Sequence, residues 1–295
     1  MAPRLSISKL IVTRLRKLSP RRGIEYYFTI IGFIIIVILI LMALLAPFIA
    51  PYDPIERVEL GKYLESPSAR FIMGTDVLGR DIFSRIIYGT RIVMLITILS
   101  MALSSLVGVS LGLLSGYVGG KIDSLLSLIM DSVYAFPGLI LAIALAFMLG
   151  PGIVNVAVSL TVVYIPTYFR MIRGHVLSVK ESLFIEAARA TGAKGRTIIF
   201  KHILPNVIPS LPIILSLNAA DAVLTEAGLS FLGLGIPAPT PDWGFDLKMG
   251  HAYLASKIWW PSTFPGLMIV LLTLGFSLFG EGLNEILNPR LREGV

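Results

Sequence analysis

The sequence predicts an all-α integral membrane protein of six transmembrane helices, with a structured basic loop between the fourth and fifth. Three observations predict it. The 295 residues are 55% hydrophobic and 15% charged, whereas soluble domains carry about 25% charged residues. Mean hydropathy is +0.83. Charge-free runs recur along the chain, each near or above the ~20 residues a helix needs to cross a bilayer.

The first span is expected over residues 26–50. No charge appears from Tyr26 to Tyr52, a run of 27 residues, longer than the ~7–15 apolar residues of a signal peptide. Before it, residues 1–25 form a polar tail with seven Lys or Arg and one acid, Glu25. Residues 51–91 are expected as a loop, external or interfacial, with six basic and six acidic side chains. Arg80, Arg85 and Arg91 lie there beside Asp76 and Asp81.

The remaining 92–283 form a five-helix core. Ile92 to Gly120 makes span two, in which Ser104, Gly108, Gly112, Gly116 and Gly120 recur every four residues. One helix face is therefore small, which permits close backbone approach to a neighbour. The 38 uncharged residues of 132–169 are too many for one span and break at Gly150-Pro151-Gly152. A tight hairpin of spans near 125–149 and 153–170 fits them, with Pro166 kinking the second. Ile203 to Ala220 begins span five and Ile258 to Gly280 is span six. Between them runs a Gly/Pro-rich loop whose neighbours Trp243, Trp259 and Trp260 suit a membrane interface. Residues 284–295 form a short tail.

Six spans put both termini on one side. Placing them in the cytoplasm leaves seventeen Lys or Arg inside and eight outside, the distribution that the positive-inside rule favours. The chain is thus expected to be a multi-pass protein of the cell (plasma or inner) membrane. A net charge of +7 and pI near 9.7 would suggest nucleic acid in a soluble protein. Here the basic residues lie between apolar runs, and membrane lipid is the expected partner instead. With no cysteine, thiolate chemistry and disulfides are excluded. His175, His202 and His251 stand too far apart in sequence to suggest a metal cluster, and no catalytic residue, cofactor site or metal site is expected in the chain.

Glu186 to Asn206, EAARATGAKGRTIIFKHILPN, is the basic loop, the larger part of a coupling segment over 178–206. Ser178 and Glu181 have capping-box spacing for a short helix. Gly192 stands where a helix end wants positive φ. A second helix from about Lys194 would carry Lys194, Thr197 and Lys201 on one face and Ile199 and Ile203 on the other. Pro205 would end it for want of an N–H. Taken as a plain helix, Glu186 would pair with Arg189 for only about 0.2–0.5 kcal/mol.

These residues carry a family resemblance. Glu186-Ala187-Ala188, then Gly192 after three residues, then Leu204-Pro205 after eleven more, resembles the EAA loop of the membrane subunits of ABC importers. His202-Ile203-Leu204-Pro205-Asn206 is similar to the form common in the peptide-importer branch. Three further stretches resemble the C-type permeases of that dipeptide/oligopeptide branch: GTDVLGRDIFSRIIYGTRI (Gly74 to Ile92), DSVYAFPGLILAI (Asp131 to Ile143) and LTEAGLSFLGLGIPAPTPDWG (Leu224 to Gly244).

The resemblance implies the type I ABC importer fold, with Glu186, Ala187, Ala188, Gly192, Leu204 and Pro205 forming the contact to an ATPase. It implies a second, B-type permease subunit, two ABC ATPase subunits and an external solute-binding protein. ATP and magnesium would sit on the ATPase subunits. The nearest approach to a phosphate loop here, SGYVGGKI (Ser115 to Ile122), lacks the leading Gly and the closing Ser/Thr. Asp221, Glu226 and Trp243 are candidates for gating or outer-loop contacts, and Asp131 and Glu281 are expected as structural helix-end groups. The substrate class implied is di- or oligopeptides; the same architecture carrying oligosaccharides or nickel is the alternative. A stand-alone secondary transporter or channel is a different class, favoured by inverted repeats and midplane charges, and the sequence shows no convincing repeat.

Overall fold

The computed structural model describes residues 24–59 and 61–287. Among them no strand forms, and Thr75 and Asp81 make an isolated antiparallel bridge. Five helices are long and apolar enough to cross a membrane, and a sixth crossing exists if one bent pair is a single span. The tail over residues 1–23, with its cluster of basic side chains, and Arg290 and Arg292 lie outside the described residues.

Helix α1 (Ile24–Leu44) is apolar on all sides, and Phe33, Ile34, Ile38 and Leu41 are exposed. Such a helix is at home in hydrocarbon. It stops at Leu44, short of the 26–50 expectation. Residues Ala46–Ile49 make a separate turn, α2, with Pro47 in its first residues.

The 51–91 loop is shorter than expected. Its last ten residues belong to α3 (Ile82–Val118), a helix of 37 residues and, at 1.5 Å per residue, about 55 Å long. That exceeds a hydrocarbon core of ~30 Å, so α3 projects beyond the apolar layer. The charges that end the apolar run do not end the helix. Asp81 caps it, accepting from Ser84 N and Ser84 Oγ, both at 2.7 Å.

The expected single span near 125–149 is two helices, α4 (Gly120–Tyr134) and α5 (Gly138–Leu149), bent by 89°. Pro137 sits at the bend as the residue before α5. It has no N–H to donate and disfavours helical geometry at Phe136. The chain then turns at Gly150–Gly152, where the sequence predicts the break, into α6 (Ile153–Lys180), which keeps Pro166 inside it.

Helices α3 and α6 form the spine of the bundle. A Cβ on Gly108 would lie 2.7 Å from Ile165 O, on Gly112 2.8 Å from Phe169 O, and on Gly116 2.8 Å from Val176 Cβ. The small-residue face thus meets α6. Gly120 leaves that face, with open space around it, because α3 has already ended at Val118.

The coupling segment holds α7 (Leu183–Ala190) and the start of α8 (Gly195–Leu232), a helical ribbon containing a π-helical stretch at Ile198–Ile203 and a 3₁₀ turn at Ile208–Ser210. Two more helices follow, α9 (Trp243–His251) and α10 (Trp260–Leu287). Trp243 is not at an interface. It is fully buried against Gly89 and donates Nε1 to Ile86 O at 3.1 Å. Trp259 remains exposed, and Trp260 donates to Thr75 O at 3.3 Å.

Candidate functional site

The residues singled out by sequence fall at two opposite ends of the bundle. At the first end, α6 runs straight through Ser178 to Lys180, so Ser178 is not a helix cap. The short helix begins one turn later, at extended Ser182 (φ −77, ψ 144). The reason is packing: Ile172 and Val176 continue the buried stripe of α6, and Val179 packs against it. Continued burial overrides the capping-box signal.

In α7 only Ile185 is buried. Glu186 and Ala187 are exposed and Ala188 is half-buried. Among the described residues no Lys or Arg pairs with Glu186, so the expected pairing with Arg189 does not form. Leu183, 82% exposed, and Phe184, 47% exposed, stand beside them. The sequence reading missed these two; two large apolar side chains inside a basic, polar stretch were the available signal. Gly192 closes α7 at φ +83. Its N–H donates to Arg189 O and that of Ala193 to Ala188 O, each at 3.0 Å. This is a Schellman motif, whose left-handed position suits glycine.

The second half of the knuckle is anchored differently from expectation. Ile198 and Ile203, not Ile199 and Ile203, are the fully buried pair. They are five residues apart because the stretch is π-helical, with i→i+5 bonding. They join Ile185, Leu113, Ile172, Val176 and Val207 in one apolar cluster, with Leu204 packed on its edge. Pro205 is exposed and does not end the helix. The π turn before it and the 3₁₀ turn after it shift the hydrogen-bond ladder around the missing donor, and Asn206 Nδ2 donates to His202 O at 2.6 Å. The knuckle also touches the end of α3. Gly195 admits the Tyr117 ring, and Lys180 Nζ donates to Tyr117 O at 2.8 Å. Glu186, Ala187, Ala188, Gly192, Leu204 and Pro205 thus belong to one body, braced on α3 and α6.

At the far end, Asp221, Glu226 and Trp243 separate into two settings. Asp221 is exposed and accepts from Tyr164 Oη at 2.7 Å. Glu226 is fully buried. Its Oε1 accepts from Ser230 Oγ at 3.1 Å, while Oε2 meets no donor among the described residues. It faces the carboxyl group of Asp242, also fully buried, whose Oδ2 likewise meets no donor among the described residues. Asp242 Oδ1 caps α9 by accepting from Phe245 N at 2.8 Å. Trp243, the next residue, inserts between α9 and α3. Glu226 and Trp243 are therefore parts of one buried joint, with Asp242 as the member that sequence reasoning missed. Gly244 completes it, since a Cβ there would sit 2.4 Å from Ala227 O.

A charge cluster locks the same end. Arg80 Nε donates to Asp76 Oδ2 at 2.6 Å, and Arg85 pairs with Asp246 of α9 at 2.6 Å. Arg85 also donates to Pro54 O at 2.8 Å and Pro239 O at 3.2 Å. Loop, long helix and α9 are thereby held as one unit. Asp81, expected beside the arginines, pairs with no cation among the described residues and serves as a helix cap. Burial pushes its carboxyl above the usual carboxylate range, opposed by the Ser84 hydroxyl and backbone N–H.

Two families match this chain. One, described as binding-protein-dependent transport system inner membrane component, covers residues 108–293. The other, the N-terminal TM domain of oligopeptide transport permease C, covers residues 28–66. The chain is similar to a dipeptide transport system permease protein of Alkalihalophilus pseudofirmus, 40% identical over 89% of this chain and 86% of the relative. It is similar to a glutathione transport system permease protein of Pectobacterium atrosepticum, 38% identical over 92% and 90%. A di/tripeptide transport system permease protein of Pseudomonas aeruginosa is 37% identical over 90% and 88%. On an all-helical bundle of five or six apolar spans, with the family match extending over well more than half its length, the chain belongs to the inner-membrane components of binding-protein-dependent transport systems, as a multi-pass permease of the type I ABC importer fold that works within a multi-subunit system.

Proposed function

We propose that this chain forms half of the translocation pathway of an ATP-driven importer of di- and oligopeptides. In this reading it pairs with a second, B-type permease subunit, two ATPase subunits and an external solute-binding protein. The knuckle faces the cytoplasm and both termini lie on that side. ATP and magnesium belong to the ATPase subunits, and this chain hydrolyses nothing. The peptide substrate is supported by the dipeptide, di/tripeptide and glutathione named for the relatives.

One observation carries the coupling role: α7 presents Leu183, Phe184, Glu186 and Ala187 outward while Ile185 alone is sunk into the bundle. An exposed apolar pair beside an unpaired carboxylate is a docking surface. Its rigid seat on Ile198 and Ile203, and the Tyr117 and Lys180 contacts to α3, give displacement of the knuckle a direct route into the two longest-packed helices. Asp221, Glu226 and Trp243 would then govern the opposite, external mouth.

The test is reconstitution of the full transporter. Glu186→Lys together with Leu183→Asp should abolish co-purification of the ATPase subunits, and Gly192→Val should weaken it by straining the left-handed turn. All variants should still insert and associate with the second permease subunit. Full ATPase association and peptide uptake by these variants would overturn the coupling role.

A further inference from the structure

Asp221 sits in the middle of the far half of α8, eleven residues before its end at Leu232. It is exposed, and its described polar contact is Tyr164 Oη at 2.7 Å; no Lys or Arg among the described residues pairs with it. A charged side chain on a span is costly against lipid and belongs on a water-filled or protein-covered face. The Tyr164 ring is buried and its hydroxyl lies 3.4 Å from Thr225 Oγ1. That arrangement holds one carboxylate oxygen and leaves the other free.

The surrounding surface is of matching character. Leu217 and Leu224, about one turn to either side of Asp221, are exposed, so the face is an apolar stripe with one fixed negative charge. On α6, the helix that carries Tyr164, Arg170 pairs with Asp131 of α4 at 2.7 Å and stacks over the Tyr134 ring at 4.0 Å. Both members of that pair are about half exposed, 44% and 53%. The pair neutralises itself; Asp221 is left with no counter-charge among the described residues. A cation with several N–H donors and a short apolar body complements it.

We propose that Asp221 is the point on the translocation pathway where the terminal ammonium group of a peptide in transit is held, with Leu217 and Leu224 against its side chains. The inference rests on the peptide-importer reading. A single carboxylate, already sharing one oxygen with a phenol, offers a hold weak enough for onward release. Tyr164 is the positioning residue: it aims the carboxylate without contributing charge.

The experiment uses the complete transporter in proteoliposomes, with its binding protein and a tripeptide bearing a free amino terminus. It reads peptide transported per ATP hydrolysed. Asp221→Asn should lower this ratio at least fivefold while binding-protein-stimulated ATP hydrolysis persists, and Asp221→Glu should restore most of it. Tyr164→Phe, which keeps the charge but frees its orientation, should lower the ratio about twofold and serves if Asp221→Asn does not fold. An unchanged ratio in Asp221→Asn, or in Tyr164→Phe where that variant stands alone, would overturn the proposal. So would loss of the second permease subunit from Asp221→Asn alone, which would make Asp221 an interface ion-pair partner. Wild-type transporter that moves no peptide would take down the functional reading itself, an outcome distinct from a peptide-moving wild type matched by its variant.

Discussion

Arg85 and Asp246 are 161 residues apart in sequence, yet the guanidinium of one donates to both carboxylate oxygens of the other at 2.6–3.1 Å. The pair joins the start of α3 to α9, and Pro54 O and Pro239 O accept from the Nη1 of Arg85. Removing one partner of a buried pair strands the other charge, at a cost of about 3–5 kcal/mol. Arg85→Met or Asp246→Leu alone should therefore sharply lower the thermal stability of the detergent-solubilised protein. The double variant should regain much of the loss, because an apolar pair of similar volume carries no desolvation cost. Equal destabilisation by the double and single variants would show that the backbone contacts, not the charge pair, hold this end.

Asp81 gives a pH dependence with a defined sign. Its folded-state pKa is raised by burial. A raised carboxyl binds its proton more tightly when folded, so its stabilising contribution is complete below the ordinary carboxylate pKa and is lost as pH climbs through the raised value. Asp81→Asn keeps an equally good helix cap and cannot ionise. Its melting temperature should exceed that of the wild type at neutral pH, and the gap should close on acidification towards about pH 4. A gap that widens on acidification would show that the ionised cap is the stabilising form.

Glu226 and Asp242 bring together, in a buried joint, two acceptor oxygens that meet no donor among the described residues. Glu226→Gln adds an amide donor with little change of shape. It should leave stability unchanged or raise it, since an unmet buried polar group costs about 1–3 kcal/mol. Asp242→Ala, in contrast, removes the α9 cap and should cost about 0.5–2 kcal/mol. Thermal melts should show no loss for Glu226→Gln and a clear loss for Asp242→Ala; a lower melting temperature for Glu226→Gln would argue against this joint.

Gly112 lies where α3 and α6 pack with little more than backbone between them; a Cβ would stand 2.8 Å from Phe169 O and 3.0 Å from Ile172 Cβ. Gly112→Val should separate the two helices and cost about 1–3 kcal/mol or more. Gly120→Ala, at the end of the same repeat but in open space, adds no such clash. Any loss there comes from its φ of +60 alone. Melts and folded yields of the two variants should differ accordingly; similar yields would argue against close packing on the small-residue face.

The bundle class, the break at Gly150–Gly152, the small-residue face of α3 and the turn at Gly192 were legible in the linear chain. Each is a local property: charge-free length, glycine spacing or a backbone angle that only certain residues adopt cheaply. Misreadings arose where packing competes with a local signal. Ser178 looks like a cap, but the buried stripe through Val176 carries α6 past it. Pro205 looks like a stop, but π and 3₁₀ turns on either side absorb its missing donor. The charged turn at Arg85 looks like loop, because its neutralising partner is Asp246.

By itself, then, the sequence determined that this protein crosses a membrane several times and bears a glycine-closed knuckle between two spans. Those facts follow from hydrophobic length and backbone sterics, which neighbours far along the chain do not alter. Only the tertiary structure decided which charges are spent on one another and which remain free. Arg85, Glu226 and Trp243 are buried in joints between distant segments, while Glu186 and Asp221 are left exposed with no counter-charge among the described residues. Burial and pairing are properties of two surfaces meeting, and a linear sequence names the residues without saying which will meet.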